Sequence, residues 1–488
     1  MFWASLAIIA ALLVPAAIAA DPVTLFFNAL QAGIVKRFGW LYVVSMTGFL
    51  GFVVWLILSR FGAIRLGPDD AKPDFSRPTW FAMLFSAGVG IGLLFFGVAE
   101  PIFHYSSPPD GGGPTVAGAR QAMALTFFHW GLHPWAAYAV VGLALAYFSH
   151  RRGLPLSIRS AFHPLLGDRI HGPIGNAIDT VAVVSTLFGV ATSLGLGAMQ
   201  VNAGLNHVAG LPETVAMQTM IIAAITCLAT VSVVSGIGAG IRRLSELNMV
   251  LAGALLLFIL VAGPTLHLIR SFGENVVAYL AYLPRGSLGL ADLDDPVRGP
   301  WLASWTIFYW AWWIAWAPFV GMSIARISRG RTIREFLLAV LLAPTLASFV
   351  WLTIFGDTAL HQEIHGMAGI VAAVQDSVPT AIFVLLDRLP VPEVTAVICT
   401  ASIVLFFVTS SDSASLVVDT LASGGALNPP VAQRVFWAIL EGVVAATLLF
   451  AGGLKALQTA AITTALPFCV ILIGMCVALA KGLRAEEP

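Results

Sequence analysis

The sequence predicts an all-α polytopic membrane protein with twelve transmembrane helices. Three observations carry this. First, 58% of the 488 residues are hydrophobic and only 10% are charged, whereas soluble domains carry about 25% charged residues. So few polar groups cannot cover a water-exposed surface on a chain of this length, and a soluble enzyme is excluded. Second, apolar runs of about 20 residues, the length that crosses a bilayer as a helix, recur from one end to the other. Third, Lys and Arg crowd into alternate connections, as the positive-inside rule demands of a multi-span protein. Overall, 25 Lys+Arg balance 25 Asp+Glu, so no basic surplus points to nucleic acid. Cys227, Cys399, Cys469 and Cys476 lie in apolar stretches and read as buried free thiols.

The twelve runs are 2–20, 39–60, 80–99, 122–148, 175–202, 217–235, 246–269, 303–325, 335–356, 393–419, 431–451 and 458–480. The first resembles a signal peptide, with Ala17-Ile18-Ala19 as a cleavage-like end, but it lacks the basic flank and is expected to be a retained helix. The connections 268–302 and 357–393 hold amphipathic pieces, such as 370–389, expected to lie on the membrane surface or cap the bundle. With the N-terminus inside, the basic connections 60–77, 151–169 and 326–334 and the tail 481–488 fall on the cytoplasmic side. Both termini are then cytoplasmic.

Four runs carry unusual chemistry. The third contains Gly88-Val89-Gly90-Ile91-Gly92. Glycines at alternate positions weaken a helix and permit close backbone approach. One reading is tight helix packing; the sharper one is an unwound segment facing a ligand. The eighth run places Trp305, Trp310, Trp312, Trp313 and Trp316 within twelve residues, although tryptophan normally gathers at membrane interfaces. Trp316 shares a helix face with Trp312 and Trp313.

The fourth run reads Phe128-His129-Trp130 through His133-Pro134-Trp135 to Tyr138, and Pro134 is expected to kink it. Aromatic faces on two helices can cage a quaternary ammonium, which offers no hydrogen-bond donor; desolvated cation–π attraction reaches about 2 kcal/mol or more. His129 and His133, four apart, are expected to be packing histidines rather than metal ligands. The tenth run holds Thr409-Ser410-Ser411-Asp412-Ser413, expensive inside a membrane and suited to a hard cation such as Na⁺. The plainer reading is hydroxyls bonded back to their own helix. No Ser/His/Asp, His-Glu-x-x-His or paired-carboxylate pattern points to an enzyme.

Together these motifs, with Ala99-Glu100-Pro101 after the glycines and the run from Trp305 to Arg326, resemble the betaine/choline/carnitine transporter family over residues 40–480. The resemblance implies a LeuT-like fold. Two N-terminal helices (1–79) would precede two inverted five-helix repeats, helices 3–7 (80–270) and 8–12 (303–480). An amphipathic connection (271–302) would join them and a short tail (481–488) would follow. It implies a homotrimer in the bacterial inner membrane. The expected activity is Na⁺-coupled symport of an osmoprotectant, a zwitterionic quaternary ammonium or sulfonium solute. The alternative is a Na⁺-independent or H⁺-coupled exchanger of carnitine- or choline-like compounds. The partners expected are the small onium substrate and membrane lipid, with Na⁺ as coupling ion and no organic cofactor.

Carried over position by position, the substrate cage would be Trp130, Trp135, Tyr138, Trp312, Trp313 and Trp316, floored by Val89, Gly90 and Gly92. One Na⁺ site would join Ser86, Val89, Phe406, Thr409 and Ser410. A second would use Thr186, Asn248 and Phe319, but Val190 stands where the family has a second hydroxyl. Val89 replaces the methionine of many betaine-type members. Gly92 stands where choline-type members can carry aspartate, which favours a zwitterion over a net cation. The cage residues include no acidic group, so a neutral cage is expected. The short tails predict no osmotic gating of the kind that long charged tails support.

Overall fold

The computed structural model describes residues 1–488 except 19, 89, 111–113, 236–237, 367, 427–428 and 487–488; side chains are also left aside at 17–24, 85–88, 235, 238–242 and 291–292. The chain is all-helical. Its helices are α1 (Phe2–Ile18), α2 (Ala20–Leu58), α3 (Arg77–Gly88), α4 (Ile91–Ser106), α5 (Val116–Trp130), α6 (Leu132–Ala146), α7 (His163–Leu166), α8 (Pro173–Ala209), α9 (Val215–Ser235) and α10 (Gly238–Ala262). There follow α11 (Thr265–Leu288), α12 (Arg298–Ser304), α13 (Thr306–Arg326), α14 (Ile333–Leu352), α15 (Thr358–His365), α16 (Ile370–Asp376), α17 (Ala381–Leu386), α18 (Pro392–Ala422) and α19 (Val431–Arg484).

Among the described residues, nine helices are long and apolar enough to cross a membrane. The twelve expected runs differ from these nine at three places, each with a local cause. The first run is a helix of 17 residues, just under a full span. The third is broken: α3 stops at Gly88, α4 starts at Ile91, and Gly90 between them is extended (φ −156°, ψ −171°). The last two runs share α19, which leaves helical geometry at Gly452 and Gly453. Gly453 has φ 57° and ψ −137°, a conformation that glycine alone adopts without strain.

Two other boundaries moved. The run expected to continue to 269 ends at Ala262, because Pro264 has no N–H to extend the ladder. The fourth run breaks one turn before its proline, at Gly131 (φ −88°, ψ −133°), and Pro134 then sits in the first turn of α6. There its missing N–H leaves no intrahelical bond unmade. The Tyr279 hydroxyl of α11 accepts the Leu132 N–H at 3.2 Å, so the exposed backbone group is satisfied inside the protein as lipid demands. α11 is amphipathic: Leu268, Ser271, Asn275 and Tyr279 are buried at spacings of three and four.

The deepest parts of the bundle are α4, α6 and α13, whose side chains are almost all buried, and the stretch of α8 from Asp179 to Gly204. Lipid-facing apolar residues such as Leu228, Val250 and Phe450 cover the outside. The cysteines are free; Cys399 and Cys469 are buried, Cys476 is half-buried, and Cys227, against expectation, is exposed on α9. Basic residues from distant parts of the chain meet at one end of the bundle. Arg151 donates to the Gly67 carbonyl at 3.0 Å and pairs with Asp69, and Arg331 donates to the Phe75 carbonyl at 2.7 Å.

Candidate functional site

The break between α3 and α4 brings Gly90, Ile91 and Gly92 to a cavity of about 280 Å³. All six expected cage residues line it: Trp130 from α5, Trp135 and Tyr138 from α6, and Trp312, Trp313 and Trp316 from α13. Five of the rings form a continuous wall, and Trp316 packs edge-on against Phe319. Trp312 and Trp313 stack at 4.9 Å with planes 14° apart, and Trp130 meets Trp313 edge-on at 4.9 Å. Tyr138 meets Trp135 at 5.3 Å and Trp313 at 6.4 Å, both near perpendicular. Five of the six are buried and Trp316 is half-buried.

Gly92 is fixed by this packing. A Cβ there would lie 2.8 Å from the Trp130 ring edge and 2.9 Å from that of Trp312. Two indoles close over bare backbone, which any larger residue would push apart.

The indole nitrogens anchor the wall. Trp313 Nε1–H donates to the His129 carbonyl at 3.0 Å, and Trp316 Nε1–H to the Gly189 carbonyl at 2.8 Å. Trp130 Nε1–H donates to Glu100 Oε2 at 2.8 Å. Glu100 lies on α4 and is fully buried. Tyr309 O–H donates to the same oxygen. His129 Nδ1 lies 2.6 Å and His104 Nε2 3.3 Å from Oε1. An ionised carboxylate only accepts, so both histidines donate, and the Thr306 hydroxyl, 2.9 Å from His129 Nε2, supplies the other end of that ring. Four donors thus converge on Glu100.

No acidic side chain is among the six cage residues, but a carboxylate is bonded directly behind one of them, Trp130. Sequence reasoning gave Glu100 no role, although an ionisable residue inside an apolar run is a signal in itself. Glu100, His104 and His129 bring their ligand atoms within 4.8 Å of one another. Those atoms are already engaged in mutual hydrogen bonds, which a metal would have to displace. His133 bonds Ser287 at 3.1 Å and faces Trp310. His129 and His133 therefore bond separate partners.

A family model described as "BCCT, betaine/carnitine/choline family transporter" matches residues 1–488. The chain belongs to this transporter family. It is 46% identical to a glycine betaine transporter of Bacillus subtilis over 488 residues, covering 100% of this chain and 94% of that one. It is 45% identical to a glycine betaine/proline/choline transporter of Vibrio parahaemolyticus over 480 residues, covering 95% of this chain and 86% of the other. An uncharacterized transporter of Mycobacterium tuberculosis is 51% identical over 467 residues, 94% of this chain and 78% of the relative. The protein is a multi-pass membrane transporter, not an enzyme.

The transporter's expected ion ligands distribute unevenly. Phe406, Thr409 and Ser410 of α18 line the cavity. Thr409 Oγ1 donates to the Leu405 carbonyl at 2.8 Å, the self-bonding of the plainer reading. A hydroxyl that has given its hydrogen away still offers lone pairs to a cation. Val89 and the side chain of Ser86 fall outside the described residues. Of the second set, Asn248 and Phe319 line the cavity and Thr186 does not. The Thr186 hydroxyl is buried without a partner among the described residues. The Asn248 amide, oriented by its neighbours, reaches the Ser402 carbonyl at 3.2 Å and the Phe406 N–H at 3.3 Å, which ties it to α18.

Proposed function

We propose that the chain is a Na⁺-coupled symporter that imports a zwitterionic quaternary ammonium or sulfonium solute, of glycine betaine or dimethylsulfoniopropionate type, by alternating access. The observation that carries this reading is a single cavity walled by six aromatic residues on one side and by Phe406, Thr409 and Ser410 on another. The onium head would sit against Trp130, Trp312 and Trp313, where cation–π attraction replaces hydrogen bonds. Glu100 behind the wall holds the Trp130 ring in place through its indole N–H. The solute's carboxylate needs donors. The N-terminus of α4 at Gly90 and Ile91 opens on the same cavity, and helix N-termini attract anions. The buried Trp312 Nε1–H has no acceptor among the described residues and is a second donor. The glycine betaine named for the relatives from Bacillus subtilis and Vibrio parahaemolyticus fits both requirements.

In this reading Na⁺ binds between Thr409, Ser410 and the α3–α4 break, orders the glycine backbone, and so prepares the cage for the solute. The fold is LeuT-like, with inverted repeats at 80–270 and 303–480, assembled as a homotrimer in the bacterial inner membrane with both termini cytoplasmic. The test is uptake of labelled glycine betaine into proteoliposomes with and without an inward Na⁺ gradient. Uptake that needs the gradient, and that falls in Thr409→Ala/Ser410→Ala, supports symport. Equal uptake without Na⁺ overturns it. A second reading, H⁺ coupling, draws on the buried Glu100–His129–His104 network; uptake driven by a pH gradient alone would favour it.

A further inference from the structure

Away from the cavity, three histidines meet where α11 passes the end of the α14–α15 segment. His361 and His365 are one turn apart on α15, with ring centroids 5.0 Å apart. His267, near the start of α11, lies 4.8 Å from His361. His361 thus lies against both of the others. His267 and His365 are exposed and His361 is half-buried. No hydrophobic or catalytic role requires three imidazoles there, and protonated imidazoles would repel one another.

We infer that His267, His361 and His365 form a binding site for a borderline divalent transition metal, Zn²⁺ above all. Two histidines at i,i+4 on a helix, joined by a third from a neighbouring element, are a three-nitrogen donor set that leaves a fourth position for water. The set contains no carboxylate, so Ca²⁺ and Mg²⁺, which demand oxygen ligands, are disfavoured. Glu363 lies between the two α15 histidines but is turned to another task, accepting the backbone N–H groups of Gly369 and Ile370 at 2.9 and 2.7 Å. Ser271 lies 3.2 Å from His267 Nε2. By accepting that N–H it would leave Nδ1 for the metal and fix the ring, as outer-shell partners do. A bound ion would tie α11, whose Tyr279 closes the Gly131 break, to α15.

The test uses the full chain, purified in detergent with any affinity tag removed and treated with a chelator. Zn²⁺ is titrated against a chromophoric chelator. One ion per chain is expected, not displaced by excess Mg²⁺ or Ca²⁺. His361→Ala, His365→Ala and, from the other helix, His267→Ala should each weaken binding by about tenfold or more, while the exposed His171→Ala leaves it unchanged. Gel filtration confirms that each variant stays monodisperse. No stoichiometric binding, or binding that survives the His361→Ala/His365→Ala pair, overturns the proposal. Because the readout is metal bound, its failure and a failure of the Na⁺-symport reading are separate results.

Discussion

Two glutamates lie fully buried in the membrane-spanning bundle, and their surroundings differ completely. Glu100 on α4 receives hydrogens from Trp130, Tyr309, His129 and His104. Glu441 on α19 is equally buried, yet neither of its oxygens has a donor among the described residues. Arg434 lies two turns away on the same helix but leans on Asp412, at 3.6 Å. A buried charge without partners costs several kcal/mol, whereas a fully bonded one organises what surrounds it. Glu100 is therefore tied to the cavity wall, since Trp130, one of its donors, lines the cavity and another partner, His129, holds Trp313 through its carbonyl. Glu441 has no such attachments.

The sharpest way to break this contrast is Glu100→Ala. It leaves four buried donors without their acceptor, and loss of one member of a buried charge network costs about 3–5 kcal/mol. Uptake should fall below detection and the thermal midpoint in detergent should drop by many degrees. Uptake within twofold of wild type would show that the carboxylate neither positions nor charges the cage.

Next in size is Trp313→Ala, which removes a ring that contacts Trp130, Tyr309 and Trp312. The apparent KM for glycine betaine should rise at least about tenfold, about 1.4 kcal/mol of lost cage attraction. An unchanged KM would remove Trp313 from the site. Tyr309→Phe keeps the ring and deletes one donor to Glu100, whose three other donors remain. A loss of about 1 kcal/mol, roughly a fivefold change in KM, is expected. If Tyr309→Phe were as severe as Glu100→Ala, the hydroxyl itself would touch the solute.

Much of this was legible in the sequence because the signals were local. The alternate glycines at 88–92 announced the α3–α4 break, and tryptophans in mid-span announced a wall that membrane partitioning does not explain. Spacing put Trp316 on one helix face with Trp312 and Trp313, while the full set of six cage residues came from the family resemblance. What stayed hidden was long-range pairing. Glu100 sits 29 residues from His129 and 209 from Tyr309, and no periodicity links them. The Gly131 break was misplaced onto Pro134 because the tyrosine that satisfies Leu132 comes from α11, 147 residues on. The helix count was blurred where Gly452 and Gly453 bend α19 without a connecting loop.

The smallest effect expected is the other half of the comparison. Glu441→Gln replaces a carboxyl by a neutral amide of the same size in a pocket that provides no donor to a carboxylate. If the side chain carried a charge there, some cation would have to compensate it, and the nearest described candidate, Arg434, is engaged with Asp412. Removing the capacity for charge should therefore cost at most about 1 kcal/mol and can stabilise, as neutral replacements of buried ionic groups often do. The thermal midpoint should hold or rise, and glycine betaine uptake should match wild type. A fall as deep as that of Glu100→Ala would mean that Glu441 meets a cation during transport, and the two glutamates would then be working partners rather than opposites.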